Sequence, residues 1–426
     1  MEKKAEGMLS PYRVLDLTNE RGFLCGKLLA DLGADVIKIE KPGGDPARSI
    51  GPFYQDAPNP ERSLYWMGFN TNKRGITLDI ETADGQEIFK RLVRNADFVV
   101  ESFDPGYMDN LGLGYSMLSQ INPGIIMASI TGFGQTGPYQ NYKAADIVVW
   151  ALSGEGYVTG DPDRAPLMPS FPLAYFFGAL QAAVGTLVAL YHREITGEGQ
   201  QVDAPAQLAL TSPTGPEVQG LWSVDRKIVK RSGRIWLRAQ TSGGTEVNYI
   251  SIPLTYQCKD GGVRFFPFVE IGMLPSTTAM TQWVIDEGMA SETLKHVDWS
   301  TFNWQTVTQH TVDEIAQSFS RFFLTHTKAE LWERAQKRGI ELYPLLTPKD
   351  LLEFPQLIFR EYWEKVEHPE LGTTITYPGA FAKMAETHCR IRRRAPLIGE
   401  HNEEIYVKEL GLSMEELLLL KQAKVV

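Results

Sequence analysis

Apolar residues in the first two hundred positions fall into short β-branched runs separated by longer amphipathic stretches. Val14–Leu17 and Asp35–Ile39 read as strands, the second closed by Glu40-Lys41-Pro42-Gly43-Gly44, with Gly26–Leu32 helical between them. Ile76–Leu78, Phe98–Val100 and Ile125–Ile130 read as further strands. Thr82 opens a helix in which Ile88, Phe89, Leu92 and Val93 make one stripe of a 3.6-residue period. Such alternation predicts an α/β fold, a mostly parallel sheet covered on both faces. Ligands bind such sheets where strands give way to loops, here Lys41–Pro46, Glu101–Gly106 and Thr131–Pro138.

Beyond Pro216 the pattern changes. Strand-like Val247–Ile252 and Gly262–Phe268 precede amphipathic helices near Thr311–Phe323 and Lys328–Arg338, which predicts a smaller α+β domain. Ser413, with Glu416 three residues on, forms a capping box that starts a terminal helix. Phe171–Tyr191 is apolar enough to span a membrane, with Gln181 its one strongly polar side chain. A lone span between two long globular stretches, without aromatic and basic belts, would be unusual. The reading adopted is a helix buried on all sides, packed closely at Gly178 and Gly185.

Composition narrows the class. The chain has 426 residues, 43% hydrophobic and 22% charged, which excludes disordered and fibrous types and suggests at least two domains. A net charge of −10 argues against coating nucleic acid or an anionic membrane. Cys25, Cys258 and Cys389 lie too far apart for a zinc site or a disulfide framework, and no HxxxH or HExxH occurs. The N-terminus lacks an apolar core of signal-peptide length, so a cytoplasmic setting is expected.

Gly132-Phe133-Gly134-Gln135-Thr136-Gly137 spells a dinucleotide fingerprint after a strand. That fold needs a helix opening at the third glycine and an acid on a following strand. Pro138-Tyr139-Gln140-Asn141 reads instead as a turn, and no acid is seen to end a following strand. A glycine-rich turn that admits a ligand to the backbone fits better than nicotinamide binding. Lys41, Lys73, Arg74 and Lys143 sit in or near loops at the expected ligand edge, where converging cations would suit phosphates.

Asn70–Asp79 (NTNKRGITLD), Ala96–Gly114 (ADFVVESFDPGYMDNLGLG) and Asn122–Pro138 (NPGIIMASITGFGQTGP) closely resemble the family III CoA-transferases. So do Leu190–Gln200 (LYHREITGEGQ) and Ala395–Leu412 (APLIGEHNEEIYVKELGL). The resemblance is strong over 11–215, returns at about 390–426 and is weak between. It implies a Rossmann-like large domain from 1–215 completed by 390–426, with linkers and the small domain in 216–389. It also implies an interlocked dimer, with coenzyme A or an acyl-CoA as substrate and no metal. The matching CoA-contacting positions are Lys41, Asn72, Lys73, Arg74, Phe103 and Lys143, with the Ser102–Asp104 turn against the CoA moiety.

One position breaks the pattern. Family members open the long apolar helix with Pro-(Ile/Leu)-Ala-Asp, and that aspartate carries the acyl group and then CoA. Here the segment is Pro172-Leu173-Ala174-Tyr175. A phenol with an ordinary pKa near 10 is protonated at neutral pH, and the ring would fill the acyl space. Other positions have drifted too. The family's Val-Glu-Asn-Phe turn has Ser102 for asparagine, a common arginine is Asn110, and Asn19–Phe23 replaces an Ala-Gly-Pro type segment. Gly243-Gly244 is too little to match the glycine-rich loop that covers the formyl-CoA transferase site. Glu155, Asp161 and Asp163 are weak candidates for a substitute carboxylate.

The expectation is a non-catalytic subunit paired with an active, homologous catalytic chain, as in family members acting on succinyl-CoA and benzylsuccinate. A homodimeric acyl-CoA isomerase or lyase, and a non-enzymatic binding or regulatory protein, remain the alternatives. A neighbouring gene for a homologue that keeps the aspartate would favour the first.

Overall fold

The computed structural model describes residues 7–161, 163–214, 223, 226, 231, 235–241, 247–267, 269 and 272–426. Six parallel strands form the main sheet: β1 (Arg13–Asp16), β2 (Asp35–Glu40), β3 (Arg74–Thr77), β4 (Phe98–Glu101), β5 (Ile126–Thr131) and β6 (Gln201–Pro205). Their spatial order, β3-β2-β1-β4-β5-β6, is the doubly wound Rossmann arrangement. Side chains alternate across a strand, and both faces here are apolar. Val14, Val36, Phe98 and Ile126 pack on one side, under helices α1 (Phe23–Asp31) and, further along the chain, α4 (Leu173–Thr196). Leu15, Ile37, Ile76 and Val99 pack on the other, with Phe89 and Leu92 of α2 (Ala83–Val93). Between α2 and α4 the short helix α3 (Asp146–Leu152) follows the glycine-rich turn.

The C-terminal segment protects the sheet edge. Thr77 N–H of β3 donates to Asn402 Oδ1 at 2.9 Å, Tyr406 O–H donates to the Thr77 carbonyl at 2.6 Å, and His401 N–H donates to the Gly75 carbonyl at 2.9 Å. These bonds satisfy backbone groups that an open edge would offer to another strand. The tail motif therefore has a structural use in this chain. Ser413 and Glu416 form the capping box of the terminal helix Met414–Gln422.

The apolar segment forms α4, a 24-residue helix long and apolar enough to cross a membrane, with half of its most apolar window buried. It is not buried on all sides. Ala174, Gly178, Ala182 and Thr186 are buried, and a Cβ would come within 3.2 Å of Ala206 at Gly178 and within 2.7 Å of Val202 of β6 at Gly185. On the opposite face Val184, Val188, Tyr191 and Ile195 are between 57% and 71% exposed. An all-round apolar composition conceals two faces, of which only the small-residue one is covered.

Contacts divide the chain into two units, one of 1–155, 169–227 and 355–426, the other of 156–168 and 228–354. Residues 355–389, part of the stretch read from sequence as linkers and small domain, cluster with the first unit. They include an antiparallel hairpin, Trp363–His368 with Thr373–Pro378. The second unit is α+β. It holds a three-stranded antiparallel sheet (Thr255–Cys258, Gly261–Phe265, Leu342–Leu345) and helices Gln309–Leu324 and Lys328–Arg338 around Phe265, Phe319, Phe322 and Trp283. Gly243-Gly244 falls outside the described residues.

Candidate active site

Tyr175 lies in the first turn of α4 and is 4% exposed. Its hydroxyl donates to the Ala144 carbonyl at 2.6 Å, and the Arg21 guanidinium covers the ring at 5.2 Å. Burial pushes the phenol up to about 12, against a smaller opposing pull from Arg21. A phenol so placed is neutral, hydrogen-bonded and shielded, so it is no nucleophile at physiological pH. Phe176 packs edge-on against Phe69 at 5.2 Å and against Phe171 at 5.9 Å, which makes this helix end an aromatic cluster. Tyr175→Phe should cost about 1 kcal/mol, the net worth of one buried hydrogen bond, read as a small fall in the urea midpoint. A fall several times larger would show that the hydroxyl does more than pack.

Donors around Tyr175 are taken by the chain itself. The α4 N-terminus has no side-chain cap of its own at Pro172. Asp146, at the start of α3, accepts from Tyr175 N–H at 3.1 Å, and burial raises its pKa against the pull of the Leu173, Ala174 and Tyr175 amides. A helix N-terminus is a natural anion site, and here a carboxylate of the same chain sits on it. At the glycine-rich turn Gln135 N–H donates to Asp203 Oδ2 at 2.9 Å, and Gly134 N–H donates to Thr131 Oγ1 at 2.9 Å. Asp203 lies on β6, so a strand following the motif does carry an acid, and it serves the loop. Ser102, buried at the end of β4, accepts from Asn19 N–H and donates to Asn19 Oδ1, both at 2.9 Å.

The positions matched to CoA contacts separate into two groups. Lys41, Phe103 and Asp104 gather at the sheet's carboxyl edge. Exposed Lys41 pairs with Glu81 at 2.8 Å, Tyr107 O–H donates to the same carboxylate at 2.6 Å, and Phe103 stacks on Tyr107 at 4.5 Å. Asp104 is exposed and 3.5 Å from Arg21. Lys143 is exposed beside Ala144, whose carbonyl receives the Tyr175 hydroxyl.

Asn72, Lys73 and Arg74 point elsewhere. Lys73 is fully buried, donating to Asp16 at 2.8 Å, the Phe23 carbonyl at 3.0 Å and Asn70 at 2.9 Å. Arg74 is held by Asp35, Glu404 and Glu409. Asn72, at φ +66°, binds Asp31 and the backbone of Arg390 and Arg392. Interior position and saturated donors, which a loop-edge argument from sequence does not see, remove these three from the set offered to a ligand.

The profile of CoA-transferase family III matches residues 9–402. The chain belongs to CoA-transferase family III. Among similar proteins is the succinyl-CoA:(R)-benzylsuccinate CoA-transferase subunit BbsE of Thauera aromatica, 35% identical over 94% of this chain and 93% of that protein. A formyl-CoA:oxalate CoA-transferase of Streptomyces coelicolor is 33% identical, covering 98% of this chain and 99% of its own. A CAIB/BAIF family protein from Brucella suis superposes with TM-score 0.77 at 25% identity, over 95% of this chain and 99% of that one.

Family III chemistry uses CoA thioesters and needs no metal. Arg21 over the Tyr175 ring, Asp146 at its amide and Asp203 at the glycine-rich turn were not singled out as individual residues by sequence reasoning. Only Asp146, an acid directly before an apolar run, carried a local signal, that of a helix start.

Proposed function

We propose that this chain is the non-catalytic subunit of a heteromeric family III CoA-transferase. It would pair with a homologue that keeps the aspartate, in the cytoplasm, and contribute to that partner's site. The observation that carries the reading is the bound, shielded Tyr175 hydroxyl at the nucleophile's place. Asp146 on the helix start and Asp203 on the glycine-rich turn support it, because groups that would meet an acyl-CoA are already occupied. The uncovered apolar stripe of α4 suits burial by another chain. Similarity to BbsE suggests succinyl-CoA as donor and an aryl-substituted succinate as acceptor.

The test is co-expression with a homologue carrying the aspartate, followed by CoA-transfer assays on each chain alone and on the pair. Transfer by the pair, with none by this chain alone, is the expected result. A normal rate from this chain alone would overturn the proposal.

A further inference from the structure

Away from the sheet edge lies a groove of about 540 Å³. Segments 357–364 and 380–390, which flank the hairpin of the first unit, line it. Its basic side chains are Arg360, Lys383, His388 and Arg390, and its acidic ones are Glu361 and Glu364. Both acids are engaged. Glu361 pairs with Lys383 at 3.4 Å, and Glu364 accepts from Ile391 N–H at 2.9 Å. A backbone N–H leaves the Glu364 charge in place, so Arg360, Lys383 and Arg390 against Glu361 and Glu364 give the groove a net positive charge of one, with both guanidinium groups exposed. Phe381, Ala382 and Met384 supply an apolar wall beside them.

Guanidinium groups pair bidentately with carboxylates, and an apolar wall rewards a hydrophobic substituent on the same molecule. We infer that this groove binds a small dicarboxylic acid bearing an apolar substituent, held by Arg360 and Arg390 with its substituent against Phe381 and Met384. The class of acid rests on the function proposed above, whereas its binding here requires no transfer activity. Lys73 and Arg74 are committed to the fold, whereas Arg360 and Arg390 stay exposed at this groove. The cavity exceeds a plain dicarboxylate, so an aryl-substituted acid should bind better than an unsubstituted one.

Calorimetric titration of the full-length chain with (R)-benzylsuccinate, succinate and coenzyme A tests this. Saturable benzylsuccinate binding is expected, at least tenfold tighter than succinate. It should weaken at least tenfold in both Arg360→Gln and Arg390→Gln. Both side chains are exposed, so the variants should keep the wild-type urea midpoint. Absence of binding, binding that neither variant weakens, or coenzyme A binding at the groove in place of the acids would each overturn the assignment. A heteromer that transfers CoA normally while this chain binds no acid would refute the groove and leave the subunit role standing.

Discussion

Lys73→Met should lower the unfolding free energy by about 3–5 kcal/mol, seen as a large fall in the urea midpoint. Its ammonium is fully buried against Asp16, and removing it strands a carboxylate that is also fully buried. Burial alone would raise the Asp16 pKa, yet Lys73 and Lys38 together hold it below the ordinary value, so the carboxylate stays charged. Lys38 remains at 3.8 Å in the variant and donates mainly to backbone carbonyls, so its compensation is partial. The double variant Asp16→Asn with Lys73→Met should recover only part of the loss, because the buried Lys38 ammonium then keeps its backbone carbonyls but has no carboxylate beside it. The amide oxygen introduced by Asp16→Asn can still accept from Thr18, as the Asp16 carboxylate does at 2.9 Å and 2.6 Å. Equal midpoints for Lys73→Met and wild type would show that the pair carries no net stability.

This network also matters to the site. Lys73 holds the Phe23 carbonyl, and Lys38 donates to the Thr18 carbonyl, so both ends of the segment that carries Arg21 are fixed. Helix α1 passes so close that a Cβ at Gly26 would fall 2.1 Å from Asp16 Oδ2. A glycine is required there by the approach of helix to carboxylate. Loosening Lys73 should therefore also release Arg21 from the Tyr175 ring.

Much of the sheet was legible because its strands are β-branched runs buried on both faces, a pattern that survives without any long-range information. β6 was not, since Gln201-Val202-Asp203-Ala204-Pro205 holds a single β-branched residue and ends in proline, as edge strands can. The hairpin after residue 355 was hidden for a similar reason, its first strand Trp363–His368 being mostly polar. The replacement at Tyr175 could be read from the motif alone. Its meaning could not, because Arg21 and Ala144 come from distant parts of the chain. The inward placement of Asn72, Lys73 and Arg74 was hidden for the same reason. Sequence places those residues before a strand but does not say that their side chains turn inward to acids on other elements.

Glu101→Gln should flatten the pH dependence of stability between about pH 4 and pH 8, with wild type and variant diverging as pH rises. Glu101 ends β4, is 3% exposed, and burial pushes its carboxyl up to about 7 despite bonds from Ser129 and Phe103 N–H. The unfolded chain loses that proton near the ordinary glutamate value of about 4.3. Between these values the folded state holds a proton that the unfolded chain has released. The contribution is thus full below about pH 4.3 and lost as pH rises through about 7. A gap of between two and three pH units corresponds to roughly 3 kcal/mol. A glutamine stays neutral and its carbonyl oxygen can keep the Phe103 N–H, which Glu101 holds at 2.7 Å. The variant should therefore gain up to about 3 kcal/mol over wild type on moving from about pH 4 to about pH 8, measured by urea unfolding at each pH. Parallel pH curves would refute it.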